Sequence, residues 1–271
     1  MNLKKIILRS ISGLIYIGLI VVAILCCTEG LAVLAIVLGT LATIEFTKIT
    51  KGLTRGTIPG LIADIASIGF LSLSFFIFPL TFWILCIIIR LIIQLYCETT
   101  NPLKDLAYSL MTQIYIGLPL ALMVGFGIFF GSPTLMLAIF IFIWLNDTGA
   151  FLVGCTIGKH RLFPTISPKK SWEGFFGGLL FSIIASVILG QIWAGFFGFG
   201  SNIWKWIGLA TIVSIFGTWG DLIESMIKRS LSIKDSGTMI PGHGGILDRI
   251  DSLLLVTPAA FLYIFFIEML L

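Results

Sequence analysis

Residues 219–252 read WGDLIESMIKRSLSIKDSGTMIPGHGGILDRIDS, and the contrast between this stretch and its flanks decides the fold. Charged residues make up only 11% of the chain, yet this segment holds Asp221, Glu224, Lys228, Arg229, Lys234, Asp235, His243, Asp248, Arg249 and Asp251. It also carries Gly237, Gly242, Gly244 and Gly245. On either side lie the apolar runs 203–220 and 252–271. A polar island between two such runs reads as a loop at a membrane face.

The same reading extends outward over the whole chain. Hydrophobic residues reach 58% and mean hydropathy is +1.11 over 271 residues, against roughly 45–50% apolar and about 25% charged in soluble domains. Further apolar runs fall at 11–28, 31–49, 59–77, 79–97, 107–130, 134–154 and 174–197. An all-α, polytopic integral membrane protein with about nine transmembrane helices is expected. The basic start followed by an apolar run resembles a signal peptide, but no A-x-A-like site follows, so 11–28 is read as the first spanning helix.

Alternating nine helices from a cytoplasmic N-terminus puts 15 of the 17 basic residues on the inside, Lys205 and Arg90 being the exceptions. Cytoplasmic loops carry such an excess, so loops 50–58, 98–106, 155–173 and 221–251 are placed in the cytoplasm and the protein in the inner (cytoplasmic) membrane. No clear domain boundary shows in the sequence; the chain is grouped into N-terminal transmembrane helices 1–100 and a C-terminal catalytic region 101–271, whose last two cytoplasmic loops hold most of the chemistry. No internal repeat or inverted pair of interrupted helices is visible, which weakens a transporter reading. The net charge of +4 suits phosphate-rich partners or membrane lipid and gives no sign of nucleic acid. Five cysteines lie in or beside apolar runs without metal spacing, and read as packing residues.

If the helix over 203–220 continues, Asp221, Glu224, Ser225 and Lys228 share one face at i, i+3, i+4 and i+7. A solvated helix end laced with ion pairs would look similar. Asp221, however, directly follows an apolar span, where a carboxylate is costly without a cationic partner. Lys228, Arg229 and Lys234 offer charge to phosphate. The glycine turn 242–245 lets backbone N–H groups approach an anion. Asp248 and Asp251 open the last helix, where the helix dipole favours acids and a capping role would explain one of them. Asp221, Asp248 and Asp251 together make a hard-oxygen set suited to Mg²⁺. Upstream, Asp147 lies toward the cytoplasmic end of an apolar helix. Lys169 and Lys170 precede Glu173, a good arrangement for clamping phosphate. Arg90 and Asp64 are expected to pair structurally, Glu45 and Glu98 to sit at helix ends, and His160 to be a surface residue.

The run S-x-x-K-R-x4-K-D-x-G-x3-P-G-H-G-G-x-x-D-R-x-D, from Ser225 to Asp251, resembles the signature of the phosphatidate cytidylyltransferases, or CDP-diacylglycerol synthases. Asp147 and the segment Ser167–Gly174 resemble further family segments. The resemblance implies transfer of the cytidylyl group of CTP to phosphatidate, with Mg²⁺ as cofactor, as two divalent ions or with a second monovalent one. It further implies catalytic roles for Asp221, Lys228, Arg229, Lys234, Asp235, His243, Asp248, Arg249 and Asp251. Substrate or phosphate contacts fall to Lys169, Lys170, Ser225, Gly244, Gly245, Asp147 and Glu173, and a homodimer is implied. Rival expectations are a CTP-dependent kinase of a prenyl alcohol and a membrane transporter. A CDP-alcohol phosphotransferase is disfavoured, because no D-G-x2-A-R run is present.

Overall fold

The computed structural model describes residues 3–50, 58–75, 80–239 and 244–270. Gly242 and His243 of the signature, and the basic residues Lys51 and Arg55 of loop 50–58, lie outside them. In chain order the elements are α1 (Leu3–Cys26), α2 (Thr28–Thr50), α3 (Ile58–Leu73), α4 (Leu80–Leu95), α5 (Pro102–Met111), a π-helical turn (Thr112–Gly117) and α6 (Leu118–Phe129). Then follow α7 (Thr134–Ile157), β1 (Arg161–Phe163), β2 (Ser167–Ser171), α8 (Trp172–Ile192), α9 (Ala194–Phe197), α10 (Ile203–Ser230) and α11 (Leu247–Leu270).

The architecture of the described residues is therefore α-helical apart from one hairpin. Among the described residues, six helical stretches are long and apolar enough to cross a membrane: 28–50, 102–129, 134–157, 172–192, 203–230 and 247–269. Three shorter apolar helices cover 11–26, 58–73 and 80–95. A helix of that size rises about 24 Å at ~1.5 Å per residue, short of a ~30 Å hydrocarbon layer. The chain is read as an integral membrane protein on these helices.

Several helix starts follow from local chemistry. Asn101 accepts from the Lys104 N–H at 3.1 Å and Pro102 opens α5, where its missing N–H costs nothing. Ser171 accepts from Gly174 N–H at 3.1 Å to cap α8, and Asn202 accepts from Trp204 N–H at 3.0 Å to cap α10. Cys26, Cys27 and Cys155 are exposed rather than packed.

Two compact units form: Met1–Phe129 with Ile233–Arg249, and Phe130–Ser232 with Ile250–Leu271. These units are defined by packing. The first has a core of Ile24, Leu31, Leu38, Phe46, Ile68, Ile116, Leu120 and Met123, all buried. A polar network is threaded through it. Asp64 accepts from the Ser109 hydroxyl and pairs with Arg90 Nε at 3.6 Å. Arg90 Nη1 donates to Gln94 at 2.8 Å, and Gln94 donates on to Asp105 at 3.4 Å. The structural pairing of Arg90 with Asp64 is thus present.

In the second unit Trp206, Phe142, Phe197, Leu209, Val213, Val256 and Ala260 are buried. Small residues set the spacing of α7 and α8: a Cβ on Gly178 would fall 2.6 Å from the Asn146 carbonyl, and one on Gly174 2.9 Å from that of Ala150. Close backbone approach of this kind is how membrane helices gain packing energy.

Candidate active site

Helix α10 runs unbroken from the apolar segment to Ser230, so Asp221, Glu224, Ser225 and Lys228 share one helical face. The side chains use that spacing. Ser225 donates its hydroxyl to Asp221 Oδ1 at 3.2 Å, and Lys228 pairs with Glu224. Glu224 and Lys228 are buried, which only a paired charge tolerates.

Helix α11 crosses α10 at glycine. A Cβ on Gly220 would sit 2.7 Å from the Asp251 carbonyl and 3.0 Å from Ser252 Cα, and the Ser252 hydroxyl donates to the Gly217 carbonyl at 3.0 Å. This close crossing brings Asp251 to the acids of α10. One carboxylate oxygen each from Asp221, Glu224 and Asp251 lies within 4.8 Å of the others. Glu224 is the member that the sequence reading left out of the metal set. Its helical spacing was visible, but so was its i+4 lysine, and the ion-pair explanation absorbed it.

The hairpin β1–β2, paired antiparallel through Arg161 with Ser171 and Phe163 with Ser167, delivers cations to the same place. Lys170 Nζ lies 2.7 Å from Asp221 Oδ2 and 3.3 Å from the Thr218 carbonyl. Lys169 is exposed, and its carbonyl accepts from Arg161 Nη1 at 3.4 Å. Arg229, also exposed, donates through Nε to the Ile166 carbonyl at 3.5 Å, tying the end of α10 to the hairpin turn.

Between α7, α8, α10 and the hairpin opens a cleft of about 570 Å³, within the size range of small-molecule sites. Its walls include Asn146, Asp147, Arg161, Lys169, Lys170 and Asp221, with Phe151, Leu162 and Phe175 on the apolar side. The Asn146 amide oxygen is buried without a hydrogen-bond partner among the described residues. Asp147, Lys169, Lys170 and Asp221, distant in sequence, thus line one cavity.

Glu173 does other work here. Its carboxylate accepts the N–H groups of Lys159 at 3.1 Å and His160 at 3.2 Å and meets the His160 ring, fixing the turn that leads into β1.

In the first unit the signature segment is held by two carboxylates. Asp248 accepts from Ser236 N–H at 3.1 Å and Gly245 N–H at 2.9 Å. The second bond is the reach-back of a capping box. Glu45, five residues before the end of α2, takes the next two donors, Ile246 N–H at 2.8 Å and Leu247 N–H at 3.3 Å, together with the Ser236 hydroxyl. Gly244 adopts φ +84°, a conformation suited to glycine. Lys234, Asp235 and Arg249 are exposed. Glu45 escaped the sequence reading because a lone acid near a helix end has no local signature.

The sequence model described as "Cytidylyltransferase family" matches residues 7–267. The chain is 45% identical over 158 residues to a protein named phosphatidate cytidylyltransferase from Staphylococcus aureus, a match covering 57% of each chain. It is 44% identical over 158 residues to one of the same name from Staphylococcus haemolyticus, again over 57% of each. The aligned stretch therefore spans a little over half the length of these relatives.

Proposed function

This chain belongs to the cytidylyltransferase family, and we propose that it transfers the cytidylyl group of CTP to phosphatidate, forming CDP-diacylglycerol and pyrophosphate. The observation that carries this reading is the convergence of Lys169, Lys170, Arg161, Asp147 and Asp221 on one cleft of nucleotide size, with Asp221 also a member of the acidic cluster. The names of the relatives supply the substrate class.

A phosphate monoester has its second pKa near ~6 and is largely dianionic at neutral pH. An oxygen of the lipid phosphate attacks the CTP α-phosphorus without needing a general base. The new P–O bond forms as the bond to pyrophosphate breaks. What the protein must supply is in-line positioning and charge compensation. Lys169, Lys170 and Arg161 orient the triphosphate in the cleft, with Lys228, Arg229, Lys234 and Arg249 as the further cations of the signature.

Asp221, Glu224 and Asp251 fit a hard divalent cation: three oxygen donors lie within 4.8 Å, and lysines compensate their charge at present. When bound, Mg²⁺ supplies neutralisation of the charge that develops on the leaving pyrophosphate. The part of Asp248 in metal binding rests on the signature, as do the roles of Asp235 and His243. The proposed setting is the cytoplasmic membrane with the cleft facing the cytoplasm, supported by the distribution of basic residues, and the proposed assembly is the homodimer implied by the family.

The test is turnover by purified protein in detergent, given CTP labelled at the α or γ position with either phosphatidate or a prenyl alcohol as acceptor, with and without Mg²⁺. Label from the α position in CDP-diacylglycerol, dependent on Mg²⁺, is expected. Label from the γ position in a prenyl phosphate would instead establish the kinase.

A further inference from the structure

Glu45 is an acid with 2% exposure on α2, far in sequence from the signature run Ser225–Asp251. Among the described residues, its side-chain hydrogen bonds all go to the signature segment. Its carboxylate accepts the Ser236 hydroxyl and the N–H groups of Ile246 and Leu247, across sequence separations of 191, 201 and 202 residues. These two N–H groups open α11 and have no partner within the helix. A carboxylate at a helix start also gains from the helix dipole.

The glycines of the segment report the same contact. A Cβ on Gly237 would meet Glu45 Cδ and Oε2 at 2.9 Å, and one on Gly245 would collide with Glu45 Oε1 and the Ser236 hydroxyl. At these two positions glycine is needed because a carboxylate is packed against the backbone. Asp248 grips the same two strands of the loop through Ser236 N–H and Gly245 N–H. The two acids thus interlock: Glu45 holds residues 236 and 246–247, and Asp248 holds 236 and 245.

We propose that Glu45 is a positioning residue for the reaction, fixing the loop and the first turn of α11 so that the Asp248 carboxylate is presented in one orientation. Its consequence for turnover rests on the cytidylyltransferase reading, whereas its grip on the loop does not. The isosteric Glu45→Gln removes the charge and replaces one acceptor by an amide N–H facing donors. Hydrogen bonds to a charged group are worth about ten- to hundredfold in an opening equilibrium.

The experiment compares wild type, Glu45→Gln and Glu45→Asp in detergent by hydrogen-exchange mass spectrometry over 244–250 and by CTP-dependent turnover. In Glu45→Gln, exchange over 244–250 should rise at least about tenfold with exchange in α7 and α8 unchanged. Turnover should fall by a similar factor through kcat, while KM for phosphatidate holds and Glu45→Asp recovers part of the loss. The cost of Gly245→Ala should also shrink in a Glu45→Ala background, because the colliding carboxylate is gone. Unchanged exchange in Glu45→Gln overturns the proposal, as does unchanged kcat in an active wild type. A wild type inactive with CTP and phosphatidate sinks the proposed function alone, and the exchange measurement still decides whether Glu45 holds the loop.

Discussion

Two charge clusters in this chain use the same residue types to opposite ends. In the first unit Asp64, Arg90, Gln94 and Asp105 form a hydrogen-bonded chain with Ser109 and Gln113, bordering cavities of only about 10 and 30 Å³. In the second, Asp221, Glu224 and Asp251 gather with Lys170 and Lys228, and Asp221 and Lys170 face a cleft of about 570 Å³. Withdrawing charge from water is costly in both. The first cluster meets the cost by closing on itself, leaving room for about one water. The second keeps three acids against two lysines and an opening large enough for a nucleotide. Polarity alone does not mark a site; polarity with excess like charge beside a cavity does.

Substitutions sharpen that contrast, and the largest effects belong to the acids of the open cluster. Asp221→Asn or Asp251→Asn should lower CTP-dependent turnover by about 10³-fold while thermal stability in detergent holds or rises, since like charges are relieved. Activity near wild type with unchanged Mg²⁺ dependence would remove these residues from the site. In the closed cluster the effect should fall on stability instead. Arg90→Ala leaves Asp64 buried without its cation and should cost about 3–5 kcal/mol, read as a lowered melting temperature. Turnover per folded molecule should hold, and a drop in kcat at full folding would break the distinction between the clusters.

Lys170 stands at the cleft wall on Asp221. Lys170→Ala should reduce kcat/KM for CTP by about tenfold to a hundredfold, the scale of one charge-assisted contact. Lys169→Ala, at an exposed position, should cost less. Unaltered kinetics in both would make them topogenic lysines only. The smallest effect is expected at Lys205–Glu268, a 3.2 Å pair whose acid is 53% exposed. Lys205→Ala should change stability by less than about 1 kcal/mol and leave turnover alone.

Much of this was legible before any coordinates. The membrane class followed from apolar runs, and the shared face of Asp221, Glu224, Ser225 and Lys228 followed from the 3.6-residue repeat once α10 was taken to continue. The pairing of Arg90 with Asp64 was readable because two opposite charges in neighbouring apolar helices have few other partners. Helix ends were less legible. The segment expected over 174–197 stops at Ile192 and resumes as the short α9, since a continuous apolar pattern does not mark where a backbone turns.

The sequence by itself determined what depends on neighbours along the chain: which stretches are helical and apolar, which face of α10 carries charge, and which family signature spans Ser225 to Asp251. Only the tertiary structure decided that Lys170 pairs with Asp221, that Asp251 joins Glu224 through the close crossing at Gly220, and that Glu45 closes the loop from 191 residues away. Periodicity is written in a few consecutive residues. A carboxylate's partners are chosen by which backbones can approach within hydrogen-bond reach, and here a missing Cβ at Gly220, Gly237 and Gly245 makes that choice.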